Sequence, residues 1–234
     1  MKKWLYNLIL VIFTFIGNAQ DVSGKVNYII IPSEIDNTIP NSAMGRATQQ
    51  EMKERAEKQV YVLNFSNSVS KFEMQSLLLD DNEKEKRLQK LASIKYGATG
   101  TCFYNKLSNE IVMKLDDGTL LSKKEESKWI VLNESKQIGK YVCYKATCER
   151  KYVTTRGSGT GVITAWFAPE LPYSYGPKDF MGLPGLILEL QERKTTYLAT
   201  NIDLDKVAEL DLEMPKGKII DYEEYNNRFK MKTK

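Results

Sequence analysis

The stretch from residue 161 to 191, GVITAWFAPELPYSYGPKDFMGLPGLILELQ, constrains the fold more than any other part of the chain. Residues 162–167 are β-branched, aromatic and apolar on both faces, the pattern of a buried strand. Residues 186–191 predict a second strand, with Leu186, Leu188 and Leu190 pointing one way and Ile187, Glu189 and Gln191 the other. Between them lie four prolines, three glycines and the aromatics Tyr173, Tyr175 and Phe180. A segment this stiff and apolar is expected to fold back on the sheet as a packed loop. Pro184-Gly185 fits the central pair of a type II turn, in which proline presets φ and Gly185 takes the positive φ that follows. Trp166, Pro172, Tyr173, Tyr175, Phe180, Leu183, Pro184 and Gly185 are candidate binding residues if the segment forms a recognition patch. The competing reading makes its aromatics core, the usual place for large rings beside buried strands.

The rest of the chain also reads as mostly strand. Residues 22–31 open the fold, followed by a loop over 32–40. Residues 42–59 are rich in Ala, Gln, Glu, Lys and Met, with a thin apolar stripe of Met44, Ala47, Met52 and Ala56, which predicts a surface helix. Strands follow at 60–65 and 70–74, around the turn signal Ser66-Asn67-Ser68. The charge-dense run 80–90 lacks the glycine and ligand spacing of a calcium loop, so it reads as a solvated helical or loop face. From residue 99 a meander is expected, with strands at 101–104, 110–115, 119–122, 128–132 and 140–149, and Asp117-Gly118 as a hairpin turn. Trp129 reads as core filling. Arg156-Gly157-Ser158-Gly159-Thr160-Gly161 lacks the P-loop lysine and its strand–loop–helix setting, so it reads as a flexible hairpin tip. Another strand is expected at 195–201. Asp221 and Glu224 form a capping box for a terminal helix with Tyr222, Tyr225 and Phe229 on one face.

At the start, Lys2 and Lys3, the apolar run 5–16 and Gly17-Asn18-Ala19 have the order of a secretory signal peptide cut after Ala19. The apolar run is shorter than the roughly 20 residues a membrane span needs, so no stable span is expected after cleavage. The expected domains are therefore a signal at 1–19 and one mainly β domain at 20–234. Without Lys2 and Lys3, the 34 basic residues fall to 32 against 30 acidic ones. That balance is not the footprint of a nucleic-acid binder.

The chain has no histidine, which excludes the usual serine triad, the cysteine–histidine pair and every histidine-ligated metal. No cofactor and no metal site are expected, and no catalytic residue can be nominated. Of the three cysteines, Cys143 and Cys148 point to opposite faces of one strand and cannot easily bridge. A Cys102–Cys143 disulfide with Cys148 as a buried free thiol is one reading, and unbridged buried thiols are the other.

Gly182 to Ile187 reads GLPGLI, which resembles the signature of the GLPGLI family, exported Bacteroidetes proteins of unknown function. The elements TAWFAPELP and GP, Trp129, the run SKQIGKYVCYKAT and the start KVNYIII also look like that family, over residues 24–205. Cys148 departs from it, standing where a threonine or another polar residue is expected. The resemblance implies an envelope protein with a mainly antiparallel β fold and supplies no catalytic residues. Together these readings predict a mainly β (α+β) chain, a curved antiparallel sheet or incomplete barrel with two or three peripheral helices. They point to an exported, periplasmic or outer-envelope, non-enzymatic binding or carrier module with a concave apolar face, its partner a lipid, a peptide or an envelope protein. The alternative is an assembly accessory acting through segment 168–185, and a histidine-free hydrolase ranks last.

Overall fold

The strand-forming stretches pair into one sheet. A computed structural model describes residues 23–33, 43–75, 83–154, 157–204, 210 and 212–232. The expected signal at 1–19, residues 34–40 of the first loop, and Asp80 and Asp81 of the charged run lie outside the described residues. The first half comprises β1 (Gly24–Pro32), α1 (Ala43–Glu57), β2 (Val60–Phe65), β3 (Val69–Met74) and α2 (Glu83–Tyr96). Then come β4 (Thr101–Asn105), β5 (Glu110–Lys114), β6 (Leu120–Lys124), β7 (Ile130–Ile138), β8 (Tyr141–Thr154) and β9 (Gly157–Ala168). The last elements are β10 (Leu186–Glu192), β11 (Thr195–Leu204), β12 (Ile219–Asp221) and α3 (Tyr222–Lys232).

The sheet runs β12-β6-β5-β4-β3-β2-β1-β11-β10-β9-β8-β7. Every pairing is antiparallel except β12 with β6, which is parallel and makes the sheet mixed. The short β12 gave no alternating signal in the sequence. β1 lies in the middle and ties the two meanders together through β2 and β11.

Connectivity forces the sheet to curl. Residues 125–129 join β6 to β7, which stand near opposite ends of the strand order. In a flat sheet, ten inter-strand steps of ~4.8 Å would separate them by ~48 Å. The six residue steps from Lys124 to Ile130 reach only ~20 Å when extended. The two ends must therefore bend toward each other, giving an open, strongly curved sheet that does not close into a barrel.

The inner face is set by the period-two alternation of its strands. Val26, Tyr28 and Ile30 of β1 stand beside Tyr61, Leu63 and Phe65 of β2, and all six are 1% exposed or less. Tyr61 stacks on Phe72 and meets Tyr197 edge-on. Segment 169–185 fills the hollow of the curl. Its Tyr173 and Tyr175 pack on Phe65, Tyr175 also meets Tyr104, and the Tyr175 hydroxyl donates to the Ser66 carbonyl at 2.9 Å. Trp129, on the link between the meanders, donates its indole N–H to the Met181 carbonyl and meets Phe180 edge-on. The loop expected to fold back on the sheet is thus the central filling of the domain.

Several expectations need correction. Gly185 does not have a positive φ; in this segment that conformation falls on Gly182, at 90°, and on Lys178, at 59°. Gly185 is required for a different reason: a Cβ there would stand 2.3 Å from the Ala168 carbonyl oxygen. No disulfide joins Cys102 to Cys143, and all three cysteines are free. Cys102 faces the hollow, within the field of Asp179, Lys123 and Arg150, whereas Cys143 lies on the other face of β8 beside Lys136. Gly157–Gly161, expected as a hairpin tip, is paired strand, with Thr154 opposite Gly157. The charge-dense run continues into α2, which buries Gln89, Ala92, Ser93 and Tyr96 on one side. The Asp117-Gly118 turn forms as expected, with Gly118 at φ 84° and the Asp117 carboxylate accepting from the Thr119 N–H. Asp221 caps α3, accepting from the N–H groups of Glu223 and Glu224, while the Glu224 carboxylate binds Arg228 in place of closing the box. The Phe229 side chain, expected on the aromatic face of that helix, lies outside the described residues.

Candidate functional site

The filling segment carries charge into the hollow. Gly176 lets the chain pass close to β10, since a Cβ there would meet Ile187 Cδ1 at 2.6 Å and the Phe180 carbonyl at 2.7 Å. Pro177 then starts a tight turn, closed by the Phe180 N–H on the Pro177 carbonyl at 3.2 Å, with Lys178 at φ 59°. A lysine in that left-handed region is strained. The result points Asp179 inward, where its side chain is 4% exposed.

Asp179 lies between two strands from opposite ends of the sheet. Arg150 of β8 donates through both guanidinium arms, at 2.8 and 2.5 Å, and Lys123 of β6 donates at 2.5 Å. The guanidinium also sits over the Phe180 ring, 4.6 Å from its centre. Burial alone would raise the Asp179 carboxyl, but the charges of Arg150 and Lys123, with the bond from Arg150, hold it well below the usual carboxylate range. Burial also works against the charge of Arg150, and Asp179 and Glu192 overcome it, so the guanidinium is held above its ordinary value.

Glu192, at the end of β10, is the second buried acid, with 8% of its side chain exposed. It receives the Lys178 ammonium and, at 3.1 Å, the Tyr152 hydroxyl, and Arg150 Nε stands 3.9 Å away. Burial raises the Tyr152 phenol far above its ordinary value, and the Glu192 charge adds to this. The two acids and three cations form one connected array, and its Glu192 end opens to solvent.

That end is a cleft of about 660 Å³. Its walls are β8 at Arg150, Lys151 and Tyr152, the two-residue turn Arg193-Lys194 between β10 and β11, and the last turn of α2 at Lys95 and Tyr96. Thr195 fixes the helix against the turn by donating to the Tyr96 carbonyl at 2.6 Å. Tyr197 lies beneath, 1% exposed, and its buried hydroxyl has no hydrogen-bond partner among the described residues.

None of the eight residues singled out in the sequence lines this cleft. Tyr175, Phe180, Leu183 and Gly185 are buried and Tyr173 is half-buried, so the segment's aromatics are core. Pro172 and Pro184 are exposed at separate points. Trp166 is half-buried on the opposite face of β9 from Ile163 and Ala165, under the Lys136 ammonium, 4.4 Å from its ring centre. Lys136 is in turn held by both Glu189 oxygens at 2.7 Å. Among the described residues no cluster of three or more His, Cys, Asp or Glu could hold a metal ion, and no helix is long and apolar enough to cross a membrane.

A family model described as a protein of unknown function, Porph_ging, matches residues 153–189. The match takes in the whole filling segment but a minor part of the chain, and it does not carry the GLPGLI name. No curated protein matches the chain. Among solved structures, PNGF-II in a C2 space group is similar with a TM-score of 0.53 at 11% identity, over 91% of this chain and 33% of that one. PNGF-II in a P21 space group gives 0.52 at 14% identity, over 90% of this chain and 33% of that one. At such identities the likeness is one of fold, and the chain spans about a third of the length of those solved chains.

Proposed function

We propose that the chain is an exported, non-enzymatic binding module of the GLPGLI type whose ligand enters the polar cleft at Glu192. One observation carries this reading: the apolar hollow of the sheet is filled by the protein's own Tyr175, Phe180, Met181 and Leu183, each 3% exposed or less. These side chains occupy space an acyl chain would need, while the cleft is open and roomy enough for a small polar molecule. Of the buried groups around Asp179 and Glu192, Asp179 is shifted downward and Tyr152, Tyr197 and Arg150 upward, so none of these four is poised near neutrality. A general acid or base needs the reverse. Export rests on the order of residues 1–19.

Solvent extraction of the purified mature protein, with mass spectrometry of the extract, tests the ligand class, and thermal melts against a panel of small polar compounds run beside it. A polar compound that raises the melting temperature supports the module. An acyl chain recovered at one per protein overturns it. Intact-mass measurement of the exported protein is expected to show a chain starting at Gln20, and retention of Met1 would refute export by a cleaved signal.

A second reading, an assembly accessory, draws support from the sheet edge and not from segment 168–185. Ile130 and Val131 of the edge strand β7 are 64% and 53% exposed, and Val142, opposite Gln137 toward the other end of β7, is 45% exposed. Light scattering that finds only monomer up to high concentration would count against self-association through that edge.

A further inference from the structure

We infer that the cleft is an oxyanion site, taking a small molecule that bears a phosphate or carboxylate group; the inference rests on the binding-module reading and names its ligand class. The first support is charge. Lys95, Arg150, Lys151, Lys178, Arg193 and Lys194 line one cleft, against a single lining carboxylate among the described residues, Glu192, with Asp179 beneath. Without Lys2 and Lys3 the chain has 32 basic against 30 acidic residues, so this local excess of cations is not a property of the composition as a whole. Such focusing raises the local concentration of anions.

The second support is which cations are already committed. Arg150 and Lys178 are held by Asp179 and Glu192 and serve the wall. Lys151, Lys95 and Arg193 are exposed, and among the described residues none of the three has an ion-pair partner. Lys95 lies over the Tyr96 ring and Arg193 over the Tyr152 ring, which aim their charges without neutralising them. Recognition therefore falls to these three.

The third support is the Tyr197 hydroxyl. It is buried beneath the cleft with no hydrogen-bond partner among the described residues. Burial and the nearby Tyr61, Glu192 and Asp179 keep the phenol protonated, so it is a donor. A buried donor without an acceptor is rare in a folded protein and calls for an explanation. A ligand oxygen entering from the cleft supplies the acceptor. Backbone strain converges on the same place: of the three described non-glycine residues with positive φ, Lys178 and Arg193 both line it.

The test is calorimetric titration and thermal melting of the mature protein with glucose 6-phosphate, inorganic phosphate and citrate, with glucose and spermine as neutral and cationic controls. Glucose 6-phosphate or citrate is expected to bind at about 50 mM salt and to weaken severalfold at about 300 mM, while glucose and spermine do not bind. Binding of glucose 6-phosphate alone assigns a phosphate ester, and binding of citrate alone assigns a carboxylate. The paired exchange Lys151→Gln with Arg193→Gln is expected to weaken binding at least tenfold. Tyr197→Phe, which removes only the unpaired hydroxyl, is expected to keep or raise the melting temperature and weaken binding severalfold. Anion binding unchanged in both variants overturns the site. Neutral glucose binding where the anions do not overturns the oxyanion class and leaves the binding module standing. No binding by any member of the panel overturns the oxyanion inference, and the wider polar panel then decides the module.

Discussion

Asp179→Asn is the sharpest perturbation the structure offers. The amide keeps the shape of the carboxyl but removes the charge that Arg150 grips with two arms and Lys123 with one. It also presents an NH₂ group to neighbours that are themselves only donors. Breaking a buried ion pair from one side costs about 3–5 kcal/mol, because the opposite charge is left uncompensated. Here the two cations keep 20% and 24% of their side chains exposed, and Arg150 retains Glu192 at 3.9 Å. The loss should therefore sit at the lower end, about 3 kcal/mol, or a fall of ~6–12 °C in melting temperature for a domain of this size. The folded-state pKa of Asp179 is depressed, so its stabilisation is fully present above the unfolded value of about 3.9 and is lost as pH falls toward the folded one. Urea unfolding at a series of pH values from about 8 down to about 3, followed by circular dichroism and by the fluorescence of Trp129 and Trp166, should give a constant gap between wild type and variant down to about pH 5. Below about pH 4 the gap should narrow. A variant within ~0.5 kcal/mol of wild type at neutral pH, or a gap undiminished at the lowest pH, refutes the argument that this carboxylate ties β6 to β8.

Other expected outcomes follow from single contacts. Gly185→Ala should lose about 1–3 kcal/mol in a urea melt, since its Cβ would overlap the Ala168 carbonyl at 2.3 Å; Gly185→Asn should be no milder. At Gly182, where φ is 90° and the space is open, Asn should be tolerated better than Val, and equal losses would refute a purely conformational role. Phe180→Ala should cost about 3–5 kcal/mol as a core truncation, and Tyr175→Phe about 1 kcal/mol for the lost bond to Ser66; a stable Phe180→Ala would return the segment to the surface. Ellman's reagent should find no fast thiol in the native protein and three after denaturation, and a single thiol would establish a disulfide. Burial pushes Cys143 and Cys148 up to about 11, so stability should decline as pH rises from about 8.5 toward that value, which urea melts across that range would read.

The sheet is legible because its strands obey a period of two and one of its hairpins carries the Asp117-Gly118 signal. The apolar run 60–65 coincides residue for residue with β2, and Asp117-Gly118 forms the hairpin it signals. What failed was the part decided by tertiary contact. β12 has three residues and no alternation to detect, and it exists because Ile219 finds Leu120 alongside. Gly185 matters through a close approach to Ala168, which leaves no trace in local turn chemistry. The cysteine pairing failed because face parity is readable along one strand, while the distance between β4 and β8 depends on how the whole sheet curls.

The cleft was hidden for a related reason. Arg150, Asp179 and Glu192 stand far apart in the chain, and each looks ordinary in its own window. One signal was nonetheless present. Lys178-Asp179 is an opposite-charge pair set between Gly176-Pro177 and Phe180-Met181, in a segment otherwise too apolar to lie on the surface. If such a segment is core, its charges must be core too, and a buried carboxylate requires cationic partners from elsewhere in the chain. The core reading of the aromatics thus already implied a buried ion array at residues 178–179. Only the partners needed the fold: Lys123 and Arg150 meet at Asp179 because a link of five residues draws the two ends of the sheet together.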